Sequence, residues 1–274
     1  MGTLKVVDST HMNCSWQISY FPQSYHSEVE SSRLVSEAFQ VVKRFENYFT
    51  VFKDSPFNKL NKYAGKKEVS LSIEAIDILK KSIEYYKKTE EFFNICFQSS
   101  KKFSPLDIEI DEDCSTAFLP NKEMSVSLGG IGKGHAVDIC FEFLKKEGFH
   151  NFMVNGSGDL RTHSHPDAPR PWKIGVTNPF NIRNQIGIIN MKNGAVATSG
   201  SYLKKNHIKS IHENTPLAVT VQSMNTTEAD VCATYLSSLD ISQAKDRMEK
   251  LALSGFIIDK SGNIHRSTHS FKRN

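Results

Sequence analysis

Residues Ser127 to Asp138 read SLGGIGKGHAVD, a glycine-rich turn that leads directly into an amphipathic segment. Four glycines and one lysine occupy positions 129–134. A glycine loop before a helix can present free backbone N–H groups to an anion such as a phosphate. It can equally be a tight turn that lets a helix pack closely on a strand. The residues that follow, 135–148, predict a helix that ends at Gly148.

Two familiar phosphate-binding motifs do not fit this loop. A P-loop requires Ser or Thr after Gly-Lys, but Gly134 follows Lys133 here. The dinucleotide pattern G-x-G-x-x-G, started at Gly130, requires a glycine where His135 stands. The loop is therefore of another kind, with a lysine at its centre.

Helices and strands are predicted outward from this loop. Apolar residues at helical spacing predict one long helix from Val29 to about Phe49 and another from Ser72, its N-cap, to about Phe97. After the loop, short alternating segments predict strands, and residues 226–239 predict a helix. Because no repeat or linker interrupts the chain, we expect a single α+β domain over residues 1–274.

The composition excludes several classes of protein. The chain has 274 residues, 39% of them hydrophobic and 23% charged, as in a folded globular protein, and its net charge is only +4. The sequence has no dense stripe of Lys and Arg of the kind that binds nucleic acid. No apolar run is long enough to span a membrane, and the N-terminus lacks the apolar region of a signal peptide. We expect a cytoplasmic protein from this sequence, an exported form whose leader has been removed remaining open.

Asp230 and Thr234 form a candidate metal-binding pair. They are four residues apart on a predicted helix and therefore share one face. Carboxylate and hydroxyl oxygens are hard ligands that suit Mg²⁺, which also binds substrate phosphates. The alternative is an acidic residue in the first turn of a helix, which the helix dipole favours, next to an ordinary threonine.

The histidines of HSHPD (163–167) also invite a metal interpretation. They lie in a proline-containing loop without a strong third ligand, which favours a solvated loop. The cysteines give no metal signal, since the five are widely spaced and no C-x-x-C occurs.

Six segments in order, from about Met12 to Leu239, resemble the ApbE-type flavin transferases, the FAD:protein FMN transferases. LGGIGKGHAVD is very similar to the family's L-G-G-I-A-K-G-Y-A-V-D. The other segments are HMNCSWQISY, FTVFKDSPFNKLNKYAG, NGSGDLR with WKIGVTNP, AVATSGSY, and VTVQS followed by EADVCAT. The resemblance implies one ApbE-like (T-fold-like) domain with mixed or antiparallel sheets and packed helices.

The resemblance also implies an activity. Such enzymes bind FAD and Mg²⁺, cleave the pyrophosphate, attach FMN through a phosphoester to a threonine of a partner protein, and release AMP. Some members instead hydrolyse FAD. The family's pattern assigns Mg²⁺ to Asp230, Thr234 and the carbonyl of Gly130. It assigns flavin-nucleotide contacts to the following residues: Met12, Phe52, Ser127, Lys133 and Ile208. His207 matches a family histidine and is the candidate general base.

Several positions depart from the family's pattern. Ser127 stands where the family usually has Asp, and Asn94 replaces another acid. After Ile208 the family's Asp and Pro are missing. The metal set is intact, whereas the altered residues surround the flavin and the base. A flavin transferase is therefore expected, and an FAD pyrophosphatase or a flavin-binding protein without turnover are the alternatives.

Overall fold

The computed structural model describes residues 3–22, 26–200 and 214–269. Two compact units divide the chain. The first contains Met1–Val42 and Lys133–Asn274, and the second contains Lys43–Gly132. The single domain expected over 1–274 stays a prediction.

Helices and antiparallel strands build both units. The helices are α1 (Glu28–Phe49), α2 (Asn58–Lys62), α3 (Ile73–Lys88), α4 (Gly132–Lys146), α5 (Thr226–Ser237) and α6 (Ile241–Lys250). The strands are β1 (Lys5–His11), β2 (Cys14–Tyr20), β3 (Val69–Ser70), β4 (Glu109–Asp111), β5 (Thr116–Phe118), β6 (Phe152–Gly156), β7 (Asp159–His163), β8 (Trp172–Asn178), β9 (Asn181–Met191), β10 (Gly194–Gly200), β11 (Ala218–Ser223), β12 (Ser254–Ile258) and β13 (Ile264–Arg266). Every strand pairing in the described ranges is antiparallel, which confirms the predicted α+β class with antiparallel sheets.

An eight-stranded sheet organises the first unit, in the order β1-β2-β6-β7-β10-β11-β12-β13. Successive side chains of β11 point to opposite faces of the sheet, as in any pleated strand. Val219 and Val221 pack with residues of α5 and α6, including Tyr235 and Leu236. Ala218 instead packs with residues of the separate β8–β9 hairpin. The sheet therefore carries helices on one face and this hairpin on the other.

The second unit contains a three-stranded sheet, β3-β5-β4, together with α2 and α3. Ser72 caps α3 as predicted, since its side chain accepts a hydrogen bond from the Ala75 amide at 3.2 Å. The predicted extension of α3 to Phe97 is wrong. Glu90 and Glu91 have φ of 52° and 71°, which no right-handed helix can continue through.

Two predicted helix boundaries hold, and three elements of the first unit were not predicted. Helix α1 covers the predicted span, and Gly148 ends α4 with φ of 82°. Strands β1 and β7 and helix α6 were missed. Helix α6 buries only Ala244 and Met248, one turn apart, so its sequence is mostly polar and has few apolar residues to mark it. Among the described helices, none combines the length and apolar character needed to cross a membrane.

Candidate functional site

Asp230 and Thr234 lie one turn apart on α5, as predicted. Asp230 is buried and Thr234 is partly exposed. The Thr234 hydroxyl is 3.1 Å from the hydroxyl of Ser199 on β10. Two hydroxyls and a carboxylate therefore lie along the side of α5 that faces β10.

The N-terminus of helix α4 contacts the Asp230 side chain. The Gly134 amide donates a hydrogen bond to Asp230 Oδ2 at 2.9 Å. Gly134 is in the first turn of α4, where backbone amides have no partner within the helix. The positive end of α4 thus faces a buried carboxylate, which it stabilises.

Lys133 and Asp159 form a second buried pair next to this contact. Lys133 Nζ is 3.0 Å from Asp159 Oδ2, and the Asp159 side chain is only 1% exposed. Asp159 begins β7, directly after the turn that contains Gly158, whose φ is 97°. The turn therefore places the Asp159 carboxylate next to the Lys133 ammonium on α4.

Burial and neighbouring charges shift the pKa values of Asp230, Asp159 and Lys133. Burial raises the pKa of Asp230, and the neighbouring Asp159 raises it further, while Lys133 and the Gly134 amide oppose them. Burial also raises the pKa of Asp159, against the ion pair with Lys133. Burial lowers the pKa of Lys133, but Asp159 and Asp230 raise it more, so this pKa is above its usual value. Lys133 is therefore a permanent cation.

This set of donors fits a hard divalent cation. Asp159 contacts the Lys133 ammonium, and Asp230 lies near enough for its charge to raise the pKa of Lys133. Ionising both carboxylates therefore leaves negative charge that Lys133 alone does not balance. Burial is the largest cause of the raised pKa of Asp230, and the charge of Asp159 adds to it. A bound cation would favour the ionised form of Asp230 against both effects. The Thr234 hydroxyl adds an oxygen ligand of the type that Mg²⁺ accepts.

The glycine loop has a packing role at Gly134. A Cβ there would lie 2.6 Å from the Thr226 carbonyl oxygen and 2.8 Å from Asp230 Cβ. None of the four loop glycines in this described stretch adopts a left-handed φ. Close helix packing thus explains Gly134, and the anion interpretation of the loop stays a prediction.

The other predicted site residues are distributed over both units. In the first, Met12 lies in the two-residue turn between β1 and β2 with φ of 52°. In the second, Phe52 is 91% exposed. Ser127 is buried there, and its amide donates to the Ile95 carbonyl at 2.8 Å. Gly130 lies in the turn before α4 and is partly exposed.

His207 and Ile208 lie outside the described residues. Their assignments as general base and flavin contact remain predictions. The structure therefore brings together three of the predicted residues, Lys133, Asp230 and Thr234.

Two carboxylates of this region were not predicted. Asp159 belongs to NGSGD, a glycine turn whose acid could have been singled out because it directly follows the turn. Asp138 ends the glycine-loop segment and binds the start of α5. Its oxygens accept the Thr226 amide at 2.9 Å and the Thr227 amide at 2.8 Å. No local pattern reveals that contact, since its partners are 88 and 89 residues away.

The two histidines of the HSHPD segment each have a polar partner. His163 Nδ1 is 3.2 Å from the side-chain oxygen of Asn193. His165 Nδ1 accepts a hydrogen bond from the Asp167 amide at 3.1 Å. His163, the last residue of β7, thus contacts the turn before β10, whereas His165 contacts its own segment.

Asn94, which replaces an acid of the family's pattern, organises its own loop. Its side-chain oxygen accepts the Cys96 amide at 2.7 Å, and its nitrogen donates to the Phe103 carbonyl at 2.8 Å. An amide serves both contacts, whereas a carboxylate could only accept.

Comparison with known proteins identifies the family. Residues 12–257 match the ApbE family. An FAD:protein FMN transferase of Klebsiella pneumoniae (strain 342) is 24% identical over an alignment of 246 residues that covers 76% of this chain and 76% of that protein. One from Buchnera aphidicola is 30% identical over an alignment of 166 residues that covers 55% of this chain and 49% of that protein.

A solved structure shows the same fold. The apo form of the Pseudomonas stutzeri flavinyl transferase ApbE superposes with a TM-score of 0.83 at 16% identity, covering 98% of this chain and 96% of that one. The sequence match extends over most of the chain, and it includes the glycine loop and the helix that carries Asp230. The chain belongs to the ApbE family.

Proposed function

We propose that this chain is a Mg²⁺-dependent FAD:protein FMN transferase. The observation that carries the proposal is the group formed by the two buried carboxylates, Asp230 and Asp159, with Thr234 and Lys133. It supplies oxygen ligands with excess negative charge, directly beside a fixed cation. The names of the matched relatives and the family match support the same activity.

The transfer exchanges one phosphoester for another. A threonine hydroxyl of the acceptor protein attacks the FMN-side phosphorus of FAD, forming a new P–O bond. The bond from that phosphorus to the bridging oxygen breaks, and AMP leaves with this oxygen. The hydroxyl proton passes to a base, for which we propose His207.

Residues of α4, α5 and β7 would serve the phosphates. Asp230 and Thr234, with the proposed Gly130 carbonyl, would hold Mg²⁺, which when bound would neutralise the charge that develops on the pyrophosphate as the P–O bond breaks. Lys133 would supply positive charge to the nucleotide phosphates. Asp159 fixes the Lys133 ammonium in place, so little reorganisation is needed when charge develops.

The flavin contacts belong to the same proposal. Met12, Phe52, Ser127 and Ile208 are assigned to the flavin nucleotide by resemblance. Phe52 suits such a contact because an aromatic ring that is 91% exposed has surface available for a flat ligand.

Chromatography of the nucleotides after incubation with FAD and Mg²⁺ tests the chemistry. We expect AMP, together with an acceptor protein that gains the mass of one FMN less one water. Excess EDTA and the Asp230→Ala variant should both abolish AMP release. The matched control is Asp246→Ala, which removes an exposed acid on α6 and should behave as the parent.

The products distinguish the possible reactions. Free FMN and AMP in equal amounts, without labelling of the acceptor, would show that the chain hydrolyses FAD and does not transfer FMN. Absence of AMP with every acceptor offered, while FAD still binds, would contradict an enzymatic role. Full activity in EDTA would contradict the metal assignment.

A further inference from the structure

The carboxylate of Asp138, near the middle of α4, accepts hydrogen bonds from the start of α5. Oδ1 accepts the Thr226 amide at 2.9 Å, and Oδ2 accepts the Thr227 amide at 2.8 Å and the Thr227 hydroxyl at 2.6 Å. The next amide of α5, that of Glu228, donates to the side chain of Asn225 at 2.8 Å. Asp138, on a different helix, thus accepts hydrogen bonds from the first two amides of α5. The N-cap residue of α5, Asn225, binds the third amide instead.

This contact is one half of a reciprocal arrangement. Asp230 of α5 accepts the Gly134 amide in the first turn of α4. Asp138 of α4 accepts amides in the first turn of α5. Because residues 134 and 138, like 226 and 230, are one turn apart, the two helices run antiparallel and each binds the other's N-terminus through a carboxylate.

Arg161 of β7 orients Asp138. Its guanidinium is 3.0 Å from Asp138 Oδ1 and 2.9 Å from Glu142 Oε1. It also lies over the ring of Phe141, 4.1 Å from the centroid. Arg161 and Asp159 are two residues apart on β7 and so point to the same face of the strand. One strand therefore positions both Lys133 and Asp138.

We propose that Asp138 is a positioning residue for the metal ligands on α5. Its bonds fix the rotation and axial position of α5, and with them the direction in which Asp230 and Thr234 present their oxygens. Since a ligand set holds Mg²⁺ only within narrow geometry, loosening the start of α5 should weaken cation binding without removing a ligand. The inference rests on the proposed function only in taking Asp230 and Thr234 as ligands.

Binding of Mn²⁺, followed by electron paramagnetic resonance on the protein with and without FAD, tests the inference independently of turnover. We expect Asp138→Asn to weaken Mn²⁺ binding by about 10-fold to 100-fold, the range found when groups that orient metal ligands are removed. The amide keeps the size of the side chain but turns one acceptor into a donor that faces N–H groups. Measurement well below the melting temperature of each variant confines the comparison to folded protein.

Glu142→Gln is the matched control. Glu142 is one turn further along α4 and pairs with the same arginine, but no bond joins it to α5 among the contacts described. We expect this variant to bind Mn²⁺ as the parent does. Parent-like Mn²⁺ affinity in folded Asp138→Asn, or equal weakening in both variants, would overturn the proposal.

Thr227→Val provides a second test if Asp138→Asn does not fold. It removes only the hydroxyl bond to Asp138 and should weaken Mn²⁺ binding several-fold, and unchanged affinity would overturn the proposal. The proposed function fails separately. If the parent binds Mn²⁺ and responds to these substitutions but releases no AMP from FAD, the positioning role stands and the transferase proposal does not.

Discussion

Gly134 and Asp230 are joined by a hydrogen bond of 2.9 Å at a point where α4 and α5 leave no room for a side chain. A Cβ on Gly134 would lie 2.6 Å from a backbone oxygen, which cannot move without shifting α5. The glycine is therefore required by the approach of two helices. A hydrogen bond and close packing together therefore link the glycine loop to a candidate metal ligand.

Gly134→Ala should destabilise the protein. Overpacking costs about 1–3 kcal/mol, and the better helix propensity of alanine returns about 1 kcal/mol. We therefore expect a net loss of up to about 2 kcal/mol in the free energy of unfolding, measured by urea titration. Displacement of α5 should also weaken Mn²⁺ binding.

Gly132→Ala is the control for that substitution. A Cβ at Gly132 would meet its nearest atom, Leu128 Cβ, at 3.4 Å, an ordinary contact. We expect unchanged or slightly higher stability, because only the propensity effect remains. Equal losses in the two variants would show that the contact with α5 is not the cause.

The Lys133–Asp159 pair should respond strongly to the loss of one partner. Asp159→Asn removes the carboxylate in contact with a largely enclosed ammonium, and removing one member of a buried pair costs about 3–5 kcal/mol. Lys133 is 30% exposed and keeps the charge of Asp230 nearby, so we expect the lower end of that range. Glu112→Gln breaks the exposed Lys80–Glu112 pair, at 2.6 Å, and should leave the free energy of unfolding nearly unchanged. Chemical denaturation compares the two, and similar losses would contradict the buried character of the first pair.

Asp259 should make stability depend on pH in the acidic range. The Asn263 side chain, followed by the Asn263 amide, His265 and the Ser261 amide, lowers the pKa of Asp259 below its ordinary value of 3.8. Because the folded-state pKa is depressed, the stabilisation is present above the unfolded-state pKa and is lost as the pH falls through the folded-state value.

Thermal melts of the parent and Asp259→Asn across pH measure that contribution. The parent should melt higher at pH 6, and the difference should shrink progressively below about pH 4. A difference that is constant from pH 6 to pH 2 would show that the charge of Asp259 contributes nothing to the β12–β13 hairpin.

Short-range patterns predicted more of this protein than long-range contacts did. The pair Asp230 and Thr234 could be placed on one face because the helical period alone relates residues four apart. The pairing of Lys133 with Asp159 joins residues brought together by folding, and the sequence gives no measure of that distance. Asp138 was overlooked for the same reason. Helix α6 was missed because burying only two side chains requires little apolar sequence.

Asp230→Asn should separate stability from function. In EDTA the buried Asp230 carboxylate lies near that of Asp159, and burial and this neighbour raise its pKa, so the ionised form opposes folding. Asparagine removes the charge while its oxygen can still accept the Gly134 amide. We expect the variant to melt at or above the parent's temperature in EDTA, to gain nothing from added Mg²⁺, and to lose FAD cleavage by at least ~100-fold. Differential scanning fluorimetry and AMP release measure the two effects. A lower melting temperature in EDTA would show that the carboxylate stabilises the fold, and a retained Mg²⁺ response would place the cation elsewhere.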